Sequence, residues 1–337
     1  MSFQPSRFES LITDSWSRRG VLACVLWPLA QVFGTLSALR RALYRHGLLR
    51  SLRLPIPVII VGNIFIGGTG KTPLTIWLVD ALREAGFCPG VIARGYGAQA
   101  HTARPVTPAS LAQEVGDEPL LIVGRTGVPM VVGRDRVAAA QALLVLHPEV
   151  DLIISDDGLQ HYRLARDIEI VLCDSRGNGN GWLLPAGPLR EAASRRRDFS
   201  VVNGVDAGPG QFTMQLLGQF AQQLAEPHQR LPLGSLPQAG MLAAAGIGNP
   251  GRYFALLRDA GLVFDELPLP DHFAYTEDPF AGLSAQIILI TEKDAVKCRQ
   301  HPELKNDPRI WVVPVEAHID AALAEQIVEK LRGYPIA

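Results

Sequence analysis

Gly67, Gly68 and Gly70 stand directly before Lys71 and Thr72, and that grouping is chemistry for a polyphosphate. Small residues let bare backbone N–H groups wrap phosphate oxygens. A lysine then reaches the outer phosphates, a threonine hydroxyl ligates Mg²⁺, and a following helix adds its N-terminal dipole. The run Phe65-Ile66-Gly67-Gly68-Thr69-Gly70-Lys71-Thr72 departs from G-x-x-x-x-G-K-[ST] at one place, because Phe65 occupies the first glycine position. The plain alternative is a tight strand–helix turn with a solvated lysine.

Further chemistry-bearing residues fall just after apolar runs. Ile153-Ile154-Ser155 ends in Asp156-Asp157. A strand-terminal aspartate beside a glycine loop holds Mg²⁺ in many phosphotransferases. Adjacent strand side chains face opposite ways, so one of the two is the expected ligand and the other caps a turn or orients a ligand. His161, four residues on, is a candidate phosphate or substrate contact. Asp117 opens a helical pattern at Gly116-Asp117-Glu118-Pro119; it either caps its own helix or accepts the proton of an attacking hydroxyl. Arg134 and Arg136 follow another strand, placed to neutralise a transferring phosphoryl group or to remain ordinary surface arginines. Tyr96, in Arg94-Gly95-Tyr96-Gly97, is a stacking or hydrogen-bonding candidate. The apolar, kinked stretch from Leu183 to Glu191, with Arg190 at its end, suits a lipid or a phosphorylated sugar.

The elements that must position these residues alternate. Strands are expected at 57–62, 89–93, 128–132, 151–155, 168–173, 199–203 and 212–217, with helices at 72–85, 117–124 and 134–147. That order implies a mainly parallel sheet covered by helices. A second α/β set begins at Met241, with strands at 241–245, 262–267, 286–291 and 309–313 and helices near 250–260 and 318–332. Its Gly246-Ile247-Gly248-Asn249-Pro250-Gly251 matches G-x-G-x-x-G, with Asp265 near the usual ribose-acid spacing. It reads either as a dinucleotide site or as a strand–helix joint of a Rossmann-like unit. His272 is placed either to tune a carboxylate across the cleft or as a loop histidine. Thr291 is expected to cap a helix with Asp294 as its third residue. The expected segments are 1–55, a basic and apolar helical part; 56–205, a phosphate-loop domain; 206–240, a linker; and 241–337, a smaller α/β domain.

The net charge of −1 over 337 residues argues against binding nucleic acid through overall charge. The first 56 residues are different, with eight arginines, no lysine, and Glu9 and Asp14 as their acids. Within them Gly20–Leu39 has no charged residue and is flanked by Arg18-Arg19 and Arg40-Arg41. Pro28, Gln31, Thr35 and Ser37 dilute the run, so a helix lying at an anionic membrane surface is expected over a full span. Cys24, Cys88, Cys173 and Cys298 are scattered without a C-x-x-C pair, which fits reduced thiols.

Taken in order, these blocks resemble the tetraacyldisaccharide 4′-kinases of lipid A biosynthesis. The resemblance rests on Pro57 to Pro73, Arg94 to Gly97, Gly116 to Pro119, Asp156 to His161, Leu184 to Glu191, Ala245 to Pro250, Asp271-His272 and Thr291 to Asp294. Ala192 departs from the proline often found there. The resemblance implies an α/β protein: a P-loop NTPase-like, mainly parallel sheet domain, a smaller Rossmann-like lid without a dinucleotide, and a membrane-associated N-terminal helix. It implies transfer of the γ-phosphoryl of ATP, with Mg²⁺, to the 4′-hydroxyl of a lipid A disaccharide 1-phosphate. The setting would be the cytoplasmic face of the bacterial inner membrane, in peripheral or monotopic attachment, with no protein partner required. By position, Asp117 and His272 match the family's catalytic dyad, Asp157 its Mg²⁺-associated carboxylate, and Glu191 a further acid near the metal. A P-loop ATPase switch and a nicotinamide enzyme are the rival readings.

Overall fold

The computed structural model describes residues 15–95, 102–237 and 239–333, so the expectations for Tyr96 and Gly97 lie outside the described residues. A long helix, α1 (Val21–Arg45), lies near the start of the described residues. The chain then runs β1 (Val58–Gly62), α2 (Lys71–Glu84), β2 (Pro89–Ala93), β3 (Arg104–Pro105), α3 (Ala112–Val115), α4 (Asp117–Thr126), β4 (Met130–Val132), α5 (Arg136–Leu146), β5 (Leu152–Asp156), β6 (Ile168–Asp174), β7 (Phe199–Asn203) and β8 (Phe212–Leu217). It continues through β9 (Phe220–Gln223), β10 (Arg230–Pro232), β11 (Met241–Ala245), α6 (Pro250–Asp259), β12 (Asp265–Pro268), β13 (Ile287–Thr291), α7 (Glu292–Cys298), α8 (Pro302–Lys305), β14 (Ile310–Val313), β15 (Glu316–Ile319) and α9 (Ala321–Arg332).

Nine strands form the larger sheet, in the order β15-β8-β7-β6-β1-β5-β2-β4-β3. Its interior pairs are parallel, and the two outermost pairs, β15·β8 and β3·β4, are antiparallel. The β-branched run Val58-Ile59-Ile60-Val61 explains the centre of this sheet. Ile59 and Val61 join one buried cluster with Leu74 and Leu78 of α2, Ile122 of α4 and Ile327 of α9. Val58 and Ile60 face the opposite cluster, with Val137, Ala140 and Leu143 of α5. Burying each large apolar side chain contributes about 1.5–3 kcal/mol. With both faces covered, the C-terminal ends of β1, β5, β6 and β7 open on one edge, where ligands bind in sheets of this kind.

The second sheet has six strands, ordered β10-β9-β14-β13-β11-β12. Here α6 packs on one face through Phe254 and Leu257, while α7 and α8 pack on the other through Cys298 and Leu304. The strand order does not follow the expected segments. β8, from the 206–240 stretch, belongs to the larger sheet, while β9 and β10 belong to the smaller one. The helix expected from 318 starts later: His318 and Ile319 close edge strand β15 of the larger sheet, and α9 packs beneath that sheet. Thr291 caps α7 as expected, its hydroxyl accepting from the Asp294 amide at 3.2 Å.

Candidate active site

The phosphate loop joins β1 to α2. Gly67 and Gly70 have φ of +95° and +102°, in the left-handed region that favours glycine. Gly70 is also the residue before the helix, and a Cβ there would fall 2.5 Å from Asn203 Nδ2. Asn63 ties the loop from inside: its Nδ2 donates to the carbonyls of Phe65 (2.6 Å) and Gly67 (3.2 Å), and its Oδ1 accepts from Lys71 Nζ at 3.4 Å. From outside, Arg176 donates to the Gly68 carbonyl, and Asn203 and Arg252 donate to the Thr69 carbonyl. Carbonyls held outward in this way leave a turn whose amides suit an anion. Phe65, at the missing glycine position, is buried and carries the Arg176 guanidinium 4.4 Å above its ring. Ile66 is pinned by its amide to the Pro188 carbonyl.

The two aspartates at the end of β5 have different environments. Asp156 is buried and accepts from the Thr75 hydroxyl at 3.2 Å; burial pushes its carboxyl up. Asp157 leaves the strand at φ +48°, and its carboxylate is about one-third open. Burial opposes its ionisation, but Lys71, Arg190 and Arg136 outweigh that and hold it below the usual carboxylate range. Lys71 Nζ lies 3.7 Å away, and Arg190 Nη1 lies 3.3 Å from both oxygens. An ionised, accessible carboxylate at Asp157 and a hydroxyl at Thr72 are both oxygen donors, the ligand type that fits Mg²⁺. Among the described residues no group of three or more His, Cys, Asp or Glu could cage a metal ion.

Glu191 is placed differently. Its carboxylate accepts from Arg195 (2.6 and 2.7 Å), Tyr162 (2.8 Å), Gln160 (2.9 Å) and Arg41 of α1 (3.3 Å). These contacts engage both oxygens of a buried group, so Glu191 joins α1 to the 182–197 loop.

Asp117 begins α4 and is buried. Its Oδ1 accepts from the Glu118 amide at 2.9 Å; its Oδ2 meets His272 Nδ1 at 3.1 Å and Lys297 Nζ at 3.2 Å. Burial disfavours the anion, yet the His272 hydrogen bond and the charges of Lys293, His272 and Lys297 hold this carboxyl far below its ordinary value. His272, at φ +59°, is the more exposed member. Asp117, His272, Lys297, Gln113, Gln300 and His301 line an open cleft. The pair approaches the phosphate loop through the smaller sheet's glycine turn. A Cβ on Gly248 would fall 3.0 Å from the Gly68 nitrogen and 3.1 Å from Asp271 Oδ2.

That contact also answers the dinucleotide reading. The Gly246 amide donates to the buried Asp294 carboxylate, and Gly248 is pressed on the phosphate loop, so the turn serves as a joint. Arg136 is buried, donating to the carbonyls of Gly133 and Asp157; it supports the loop, whereas Arg134 is exposed. His161 Nε2 sits 3.7 Å from Asp135, and burial, aided by Arg136, lowers its imidazole to about 4.

Sequence reasoning missed Asn63, Asp174, Arg176, Asn203, Arg252, Lys293 and Lys297. Asp174 and Asn203 terminate strands on the ligand edge, which is a readable signal. Lys293 and Lys297 lie four apart, on one helix face. Nothing local marks Arg252.

A family model described as Tetraacyldisaccharide-1-P 4'-kinase matches residues 22–332. The chain is 61% identical over 347 residues to the Tetraacyldisaccharide 4'-kinase of Janthinobacterium sp. (strain Marseille), covering 100% of both. It is 61% identical over 356 residues to that of Herminiimonas arsenicoxydans (100% of this chain, 99% of the relative), and 51% identical over 327 residues to that of Methylobacillus flagellatus (96% of each). A crystal structure of LpxK from Aquifex aeolicus in complex with ATP superposes with a TM-score of 0.75 at 26% identity, covering 92% of this chain and 100% of the other. The chain belongs to the tetraacyldisaccharide-1-P 4'-kinase family.

Proposed function

We propose that this protein transfers the γ-phosphoryl group of ATP to the 4′-hydroxyl of a tetraacyldisaccharide 1-phosphate in lipid A biosynthesis. The observation that supports this most is the meeting of two separate pieces of chemistry. The glycine turn of the smaller sheet packs on the phosphate loop through Gly248 and Gly68, and the same unit carries His272, which pairs with Asp117.

Within that reading, the amides of the glycine turn from Gly67 to Thr72 and the Lys71 ammonium hold the triphosphate, while Phe65 and Ile66 fix the start of the loop. Thr72 and Asp157 would hold Mg²⁺, which would supply charge neutralisation at the phosphates, while Asp156 supports the strand end. The hydroxyl proton passes to the Asp117–His272 pair as the sugar oxygen bonds to the γ-phosphorus and the bond to ADP breaks. Arg134 neutralises developing charge, and His161 and Arg190 line the acceptor side. Phosphoryl transfer needs mainly positioning and electrostatics, which is what this arrangement offers. The larger sheet is the nucleotide-binding unit and the smaller one its lid.

An 18-residue stretch of helix α1 has a mean hydropathy of 1.7 and is 11% buried, so the helix is long and apolar enough to cross a membrane. We place it, with the 182–197 loop, at the anionic cytoplasmic leaflet of the inner membrane, attached without full spanning. No protein partner or nucleic acid is needed for the reaction.

The test is direct. Purified full-length protein with Mg²⁺, γ-labelled ATP and the lipid disaccharide should yield labelled lipid. ATP hydrolysis with no label in the lipid would point to a nucleotide switch and overturn the kinase reading.

A further inference from the structure

We propose that Arg252 is a reversible latch between the smaller sheet's unit and the phosphate loop, and hence a positioning residue for the nucleotide. The inference rests on the reading of residues 65–72 as a phosphate cradle. Arg252 lies in the first turn of α6, directly after the Gly246–Gly251 turn. Its Nη1 donates to the Thr69 carbonyl at 3.2 Å, and its Nη2 to Asp174 Oδ2 at 2.7 Å. Gly248 brings the same turn against the Gly68 nitrogen, with no room for a side chain. One side chain and one backbone contact therefore couple the position of α6 to the shape of the loop.

Asp174 makes the latch reversible. Its side chain is 1% exposed, and a buried carboxylate stripped of partners is strongly destabilising. Arg176, two residues away, grips both Asp174 oxygens through Nε (3.0 and 3.1 Å) and also donates to the Gly68 carbonyl. When Arg252 withdraws, Asp174 keeps a full guanidinium partner and Thr69 keeps Asn203. Release therefore strands no buried charge, while engagement adds a second donor that fixes the Thr69 carbonyl outward. A nucleotide that needs the loop in that shape binds better to the latched form, and by linkage it favours latching by the same factor.

The test uses the full chain with a non-hydrolysable ATP analogue and the complete reaction. Arg252→Met should weaken analogue binding and raise KM for ATP by about 5- to 20-fold, with KM for the lipid acceptor unchanged. Gly248→Ala, which pushes the two loops apart, should act in the same direction. Hydrogen exchange adds a readout that a merely structural role would not move. The analogue should slow exchange at residues 246–252 in the parent protein but not in Arg252→Met. Should the methionine variant unfold, Arg252→Lys, which keeps one donor group, serves the same comparison and should show an intermediate KM. Parent-like ATP affinity in a folded Arg252 variant, or analogue protection of 246–252 that survives the substitution, would overturn the latch. A parent protein that fails to bind the analogue would instead overturn the phosphate-cradle reading.

Discussion

Nδ1 of His272 lies 3.1 Å from Oδ2 of Asp117, across 155 positions of sequence. The contact joins the start of α4, under the larger sheet, to a loop of the smaller one. Because Asp117 is ionised well below neutral pH, the imidazole presents an N–H to it and keeps a fixed orientation. The depressed carboxyl contributes stability that is present above its unfolded value and lost as pH falls through its folded one. Asp117→Asn keeps the shape but removes the charge that pairs with His272, Lys293 and Lys297. We expect kcat to fall by about 10²–10⁴ with ATP affinity within about twofold, since the cradle is elsewhere. Label-transfer kinetics beside an ATP-analogue titration measure both, and full turnover by the Asn variant would remove Asp117 from the reaction.

Arg134 and Arg136 look equivalent in sequence but should fail in different ways. Arg136 is buried against two carbonyls, and burial lowers its guanidinium to about 10 while Asp157 and Asp156 oppose the shift. Arg136→Met strands those carbonyls and loosens the Asp157 turn, at a cost of roughly 3 kcal/mol read by denaturant unfolding. Arg134→Ala should leave stability unchanged and lower kcat by about 10²–10³, as losing a charge-stabilising donor does. Equal melting curves for parent and Arg136→Met would contradict the supporting role.

His161 gives a pH dependence with a definite sign. Burial, then the nearby Arg136, lowers its pKa from 6.5 to about 4, against a small opposing effect from Asp135. The unfolded chain therefore takes up this proton first. Stability from the neutral imidazole is present above about pH 6.5 and is lost as pH falls toward 4. His161→Gln should flatten the fall in Tm across that window, measured in matched buffers. An unchanged slope would show that other groups govern it.

The glycine loop, the paired aspartates and the alternating sheet were legible because their causes are local. Glycine at φ > 0, β-branched runs and strand-end acids carry their signal within a few residues. The pairing of Asp117 with His272 was reached through family resemblance, since nothing near either residue names the other. The partners of Glu191 were hidden for the same reason: Arg41 and Tyr162 are 150 and 29 positions away. The strand β15 was hidden because Glu316–Ile319 forms a short, exposed edge, and its place follows only from pairing with β8, about 100 residues earlier in the chain.

Helix α1 buries Ala23 and Ala30 while leaving Val25, Leu29, Val32 and Leu36 exposed. It is tied to the rest of the protein by Arg41 on Glu191, by Trp27 beside Trp182 and by Gly34 against Leu183. Docking therefore uses the small residues and the basic end, and among the described residues none covers the outward aliphatic stripe. Water is a poor neighbour for such a stripe, whereas an acyl layer accepts it at about 25 cal/mol per Å². Replacing Val25, Leu29, Val32 and Leu36 together with serine should cut flotation with anionic vesicles at least ~10-fold, because several kcal/mol of apolar transfer is lost. ATP-analogue affinity should not change, since all four side chains are exposed on α1, and phosphorylation of a detergent-dispersed acceptor should persist. A quadruple variant that floats like the parent would move the anchor from α1 to another part of the surface.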